Sequence, residues 1–414
     1  MSKQIFKRIS IYISALLISL SAYADLQNVE VRGGAYAEPY WDKHYRITGK
    51  DSLSFTPKLS GMNNYYYSSD NVEIPNRERA LSRDIPIRTE TERGYSLRLQ
   101  LADLQNLEVG SVIKNRGESN WKHPLQNWAK LESPLVEVTP FVFKEKLYLM
   151  ESWQKQWENP KDEDGSHFTK DEVRIRDMAA DRIVSTPLIG HGLAMTFIHE
   201  GTAYVFAGNW GTEKKWNITE IVMTSSTDLK NWTKPEVVLK AQPDEKFFNV
   251  SVCKGRDSFV LLVESNEPKW PAFTFKYFTS VNLTDWTRVP DALYGVDKYV
   301  GGPALYFEGD WYYTLYLQSL GKGHYETRVA RSKDLINWID ADVKRPFVTF
   351  QTENKVHPLR PAELREKNAS DAEICYWNGK TIVYYTGGEQ HYAGDLQYAD
   401  FPGTPQELLE YYFK

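Results

Sequence analysis

The feature that most constrains this chain is a motif, Ser-x-Asx-Leu-x-x-Trp, that returns at a nearly constant interval. It reads Ser226-Thr-Asp228-Leu229-Lys-Asn-Trp232, then Ser280-Val-Asn282-Leu283-Thr-Asp-Trp286, then Ser332-Lys-Asp334-Leu335-Ile-Asn-Trp338. The three Trp lie 54 and 52 positions apart, and a decayed copy stands earlier as Leu101-Ala-Asp103-Leu104-Gln-Asn-Leu107. A fixed period means one supersecondary unit used repeatedly, and periods of about 40–50 residues in β-rich chains are those of propeller blades. A parallel solenoid would need much shorter repeats. Within each copy the Asx side chain is expected to cap a tight turn, while Leu and Trp tuck under the neighbouring unit.

Around these motifs stand matching pairs of apolar, alternating runs, each joined by a short Gly- or charge-bearing turn as in a hairpin. They are Phe141–Phe143 with Leu147–Met150, Ala194–Ile198 with Ala203–Ala207, Ser251–Lys254 with Phe259–Val263, Ala304–Phe307 with Trp311–Leu317, and Glu373–Trp377 with Thr381–Tyr385. Five hairpins at this spacing predict an all-β, five-bladed β-propeller over residues 93–414. The Leu101–Leu107 copy is expected to supply the outer strand that closes the ring. Helical periodicity is confined to Pro405–Phe413. Residues 25–92, rich in Tyr, Arg and Asn, read as an irregular N-terminal extension over one face or rim.

Residues 1–24 carry a basic start (Lys3, Lys7, Arg8), an apolar run from Ile9 to Leu20 and the small-x-small site Ala22-Tyr23-Ala24. That pattern is a cleaved secretory signal, which predicts a periplasmic or secreted protein. Nothing later reaches the roughly 18 consecutive apolar residues of a membrane span. Lys+Arg number 50 against 55 Asp+Glu, a net charge of −5, so no basic field exists to gather nucleic acid. Cys253 and Cys375 lie in apolar strand-like runs and are expected to be free thiols. Nucleophile-elbow, zinc-protease, Cys-x-x-Cys and phosphate-loop motifs are all missing, so no cofactor is implied, although a structural Ca2+ is compatible with the sequence. The acidic run Asp162–His167 reads as a solvated loop, because no spaced partner follows it. The chain is expected to be a monomer.

In a propeller the innermost strand of each blade lines the central channel, and its start faces the ligand mouth. The residues there are Glu137 and Thr139, His191, Asn249, Tyr299 and Gly301, and Ser370-Asp371 with Glu373; Glu151 and Glu264 end second strands. Of these, Glu137, His191, Glu264, Asp371 and Glu373 are the candidate catalytic groups. Two carboxyls flanking a bond supply the acid and the base or nucleophile of sugar hydrolysis. Trp153, Trp210, Trp270, Tyr299 and Tyr392 fall in or near inter-strand loops, where aromatic rings stack on sugar faces. No metal ligand set is assigned.

The Ser-x-Asp-Leu-x-x-Trp endings, the run Gly302-Pro303-Ala-Leu-Tyr-Phe-x-Gly-Asp-Trp-Tyr-Tyr and the tail from Asn368 through Asp371 and Glu373 resemble five-bladed β-propeller glycosidases. That is the group of arabinanases, β-xylosidases and related enzymes of polysaccharide-degrading bacteria, and the resemblance covers roughly residues 95–414. It implies a hydrolase acting on oligosaccharides of a plant or algal polysaccharide. Two departures stand against the family pattern. Where arabinanase-like members have an Asp-Pro pair this chain has Thr139-Pro140, and where an acid-Gly-Pro run is expected it has Gly301-Gly302-Pro303. Two alternatives follow from those losses. One is elimination or dehydration of a uronic acid, with His191 or a Tyr as base; the other is a non-catalytic sugar-binding propeller.

Overall fold

In the computed structural model the described residues are 121–414, apart from the segments 156–165, 212–215, 352–364 and 390–392 and a few isolated positions. Earlier in the chain only two short ribbons are described, Glu30–Val31 with Leu97–Arg98 and Trp41–Asp42 with Lys58–Leu59. The expected signal segment, most of the extension, the Leu101–Leu107 copy, most of the Asp162–His167 run and Tyr392 lie outside the described residues.

Five four-stranded antiparallel sheets follow one another along the chain. Their inner strands are Val138–Phe143, His191–His199, Phe247–Lys254, Val300–Glu308 and Ser370–Trp377, and we number the blades 1 to 5 in that order. Each inner strand pairs with the next strand through the hairpin expected from the sequence, and a third and fourth strand complete the blade. Blade 5 is completed from the other end of the chain: its third strand, Ala393–Phe401, pairs with Gln126–Lys130, which precedes blade 1. The ring is therefore closed by an N-terminal outer strand as expected, but Gln126–Lys130 supplies it. The C-terminal helix, Pro405–Tyr411, begins with a capping box in which Thr404 and Glu407 satisfy each other's backbone amides.

The repeated motif sits between the third and fourth strands of blades 2, 3 and 4, and its chemistry is the same each time. Ser226, Ser280 and Ser332 each accept the amide of the following Leu, at 2.8, 3.0 and 3.0 Å. Asp228, Asn282 and Asp334 each accept two further backbone amides through Oδ1. The Leu takes a left-handed backbone conformation, with φ of 62°, 67° and 66° at Leu229, Leu283 and Leu335. Its side chain is buried, so apolar burial offsets a conformation that non-glycine residues seldom adopt. Each Trp then packs on the preceding blade. Trp232 donates to Ser185 at 3.1 Å, Trp286 meets Phe206 edge-on at 6.3 Å, and Trp338 stacks on Tyr277 at 5.3 Å. The motif is thus an inter-blade rivet. Cys253 and Cys375 are free and belong to blades 3 and 5. Among the described residues no helix is long and apolar enough to cross a membrane.

One irregularity shapes the centre of the ring. The inner strands of blades 2 to 5 all slip register at the same place: between Gly192 and Met195, Phe247 and Val250, Gly301 and Ala304, and Ser370 and Glu373. A bulge bends its strand and re-aims the side chains within it. Blade 1 runs through the same region with an unbroken ladder.

Candidate active site

The four bulges and the start of blade 1 converge on one recess at the propeller axis. Every blade contributes to its wall: Glu137 and Val138, then Ala194, then Asn249 and Val250, then Gly302 and Pro303, then Asp371 and Glu373. Three of the candidate acids, Glu137, Asp371 and Glu373, are therefore brought together although blades 1 and 5 are far apart in sequence. No Lys or Arg is among these lining residues.

Glu373 leaves the bulge of blade 5 and lies between two hydroxyls. Thr139 of blade 1 approaches its Oε1 at 3.3 Å, and Tyr306 of blade 4 approaches its Oε2 at 3.4 Å. Asp371 has a left-handed backbone (φ 52°) and accepts a hydrogen bond from Ser370. Its Oδ1 packs against the bare Cα of Gly302, where a Cβ would stand only 2.2 Å away. Glu264 is 3% exposed and lies behind the wall. Its Oε2 accepts from Asn249 Nδ2 at 3.1 Å and from the amide of Gly302 at 3.0 Å. It thus touches two lining residues without lining the cavity itself.

The three carboxyls have unequal acidities. Burial is the largest cause in each case, because desolvation penalises the charged form. It pushes Glu264 and Glu373 up to about 8, with the nearby Asp371 adding to both. Asp371 rises to about 6, with burial opposed by the Ser370 hydroxyl. At neutral pH the set therefore holds an ionised aspartate beside protonated glutamates. A cavity that separates neighbouring carboxyls in this way has acid and base assigned by environment.

The remaining candidates have other surroundings. His191 begins the inner strand of blade 2 but is not among the lining residues. Its Nδ1 lies 2.8 Å from the carbonyl of Ile189, and burial lowers its pKa. The glycines flanking it serve packing, since a Cβ at Gly192 would stand 2.4 Å from the Trp210 ring and one at Gly190 3.0 Å from the Thr169 carbonyl. Trp210 is 3% exposed and belongs to the core between blades 2 and 3 rather than to a rim. Trp153 lies beneath the Arg174 guanidinium, 4.0 Å from its ring. Tyr299 packs on Phe273 and Tyr325, and Trp270 is half-buried. Glu151 is fully buried between Arg174 and Arg176, a compensated charge that accounts for it structurally. Tyr306 joins the site without a distinctive sequence signature. Its only signal is alternation with Ala304 in the run after Gly302-Pro303, which a core tyrosine would show equally. No group of three or more His, Cys, Asp or Glu able to hold a metal ion occurs among the described residues.

No family model and no curated protein matches the chain. Among solved structures it is similar to a mutant of the GH43 protein BlXynB from Bacillus licheniformis, at 15% identity and a TM-score of 0.45, covering 65% of this chain and 53% of that one. It is similar to the xylan beta-1,4-xylosidase from Bacillus halodurans at 13% identity and a TM-score of 0.43, covering 63% of this chain and 52% of that one. It is also similar to the GH43 endo-arabinanase from Bacillus licheniformis at 12% identity and a TM-score of 0.44, covering 66% and 96%. The chain thus spans about half the length of the first two and nearly all of the third.

Proposed function

We propose that the protein is an exported glycoside hydrolase that cleaves a glycosidic bond at the axial cavity, on oligosaccharides from a plant or algal polysaccharide. The observation that carries this reading is the pair Asp371 and Glu373, which share one wall of the cavity with the aspartate the stronger acid. Glu373, protonated near neutral pH, is placed to give its proton to the leaving glycosidic oxygen. Asp371, ionised, acts as the base that activates water or as the nucleophile. Glu264 adds a third carboxyl behind Gly302. The Asp-Pro and acid-Gly-Pro acids of the resembling glycosidases are Thr139 and Gly301 here, and blade 5 takes over their work.

Elimination from a uronate fits the site less well. It needs a base beside the abstracted proton and a cation to hold the carboxylate as charge builds on it. His191 is outside the wall, and no Lys or Arg lines it among the described residues. The test is product analysis on a panel of polysaccharide fragments with the wild type, Asp371→Asn and Glu373→Gln. Hydrolysis predicts new reducing ends without the absorbance of a conjugated double bond, and a loss of about 10²–10⁴ in each variant. A conjugated product, binding without turnover, or two active variants would overturn the proposal.

A further inference from the structure

We propose that Tyr306 is a positioning residue that aims the Glu373 carboxyl into the cavity; the role rests on the reading of Glu373 as the acid. Tyr306 lies in the inner strand of blade 4, and its ring is packed in the core shared by blades 4 and 5. Its hydroxyl accepts the amide of Ile374, the residue after Glu373, at 2.9 Å. A phenol has one hydrogen to donate. With the Ile374 amide occupying an acceptor side of the oxygen, that hydrogen is directed at Glu373 Oε2, 3.4 Å away. The same phenol therefore grips the backbone beside Glu373 and one oxygen of its carboxyl, while Thr139 faces the other oxygen from blade 1.

This arrangement has an electrostatic consequence. Hydroxyls that donate to a carboxylate favour its ionised form, so Tyr306 and Thr139 oppose the burial that holds the proton on Glu373. The ionisable groups facing Glu373 are Asp371 and Cys375 on its own strand, Glu137 across the cavity in blade 1 and Tyr306 itself, with Glu264 behind Gly302. None of them is a cation. The two hydroxyls are thus the counterweight that keeps the acid able to release its proton within the working range.

The experiment follows the carboxyl carbon of Glu373 by NMR titration in protein labelled at glutamate, with Glu373→Gln identifying the signal. Tyr306→Phe keeps the ring and removes the donor, so the midpoint should rise by about 0.5–1 pH unit, the worth of one net hydrogen bond. Thr139→Val should shift it in the same direction. A 3-fluorotyrosine at position 306 keeps the hydroxyl and the fold while strengthening the donor, and should lower the midpoint. On an accepted substrate Tyr306→Phe should lose about tenfold in kcat with KM nearly unchanged, and its alkaline limb should move up. An unmoved midpoint in both the Phe and the fluorotyrosine proteins would overturn the role, as would a fall in stability alone. An active Glu373→Gln would instead refute the assignment of the acid, and it would do so whatever the titration shows.

Discussion

Gly302 is the point at which backbone geometry and chemistry are hardest to separate, and Gly302→Ala tests both. Its φ of +49° is left-handed, and a Cβ there would lie 2.2 Å from Asp371 Oδ1 and 3.0 Å from Asp371 Cγ. The left-handed conformation costs an alanine about 1–2 kcal/mol. The collision is the larger matter for activity, because the Asp371 carboxyl must retreat by about 1 Å to reach ordinary contact. A misplacement of that size costs about 10²-fold in rate when a reacting group is displaced. Gly379, in the hairpin turn of blade 5, is the control: its φ is +77° and nothing lies within 4 Å of its would-be Cβ. Gly379→Ala should therefore lose about 1–2 kcal/mol in urea unfolding and keep its rate, whereas Gly302→Ala should lose at least that much stability, the collision adding to it, and about 10²-fold in reducing ends released. Equal activity in the two variants would refute the claim that the bare Cα of Gly302 sets the position of Asp371.

The working pH should be bounded by the two titration steps of the Asp371–Glu373 pair, one near 6 and the other near 8, giving a bell with its maximum close to pH 7 in a kcat/KM profile. Stability should run the other way: the folded protein holds the Glu264 proton up to about 8 against an ordinary 4.5, so folding weakens as pH rises through that window. Urea midpoints at pH 5 and 8 should show that fall in the wild type and a smaller one in Glu264→Gln, which stays neutral throughout. Trp286→Ala should cost about 2–3 kcal/mol, below the full-core range because the indole is only half-buried, and the soluble fraction should keep its activity. His191→Ala should keep its rate within about threefold on an accepted oligosaccharide, since general catalysis would be worth far more; a larger loss would restore the histidine to the chemistry.

The fold was legible because its signals are local and repeated. A Ser, an Asx, a left-handed Leu and a Trp at fixed offsets make one turn that must be built the same way wherever it occurs, and the hairpins between copies carry their own alternation. The same locality misleads at the closing strand: Leu101–Leu107 copies the motif, whereas Gln126–Lys130 is chosen by its pairing with Ala393–Phe401, a long-range contact without a local signature. Trp210 illustrates a second limit. A tryptophan after a strand looks the same whether it meets a sugar or a glycine, and here Gly192 receives it.

The site was legible only as far as strand starts predict the axis. Glu137, Asp371 and Glu373 were found that way, because the first residues of inner strands must face the channel in any closed ring of blades. What alternation cannot show is the bulge. A slip between Ser370 and Glu373 brings both acids of that strand to one wall, and the matching slip at Gly301–Ala304 turns the Gly302 amide toward Glu264 and its bare Cα toward Asp371. Glu264 is consequently one strand behind the cavity, tied to it through Asn249 and Gly302 rather than open to it. The division of labour among the carboxyls follows from that depth. Asp371 and Glu373 can meet a substrate, while Glu264 can act on it only through the backbone it holds and the charge it withholds, so Glu264→Gln should impair the enzyme less than Glu373→Gln.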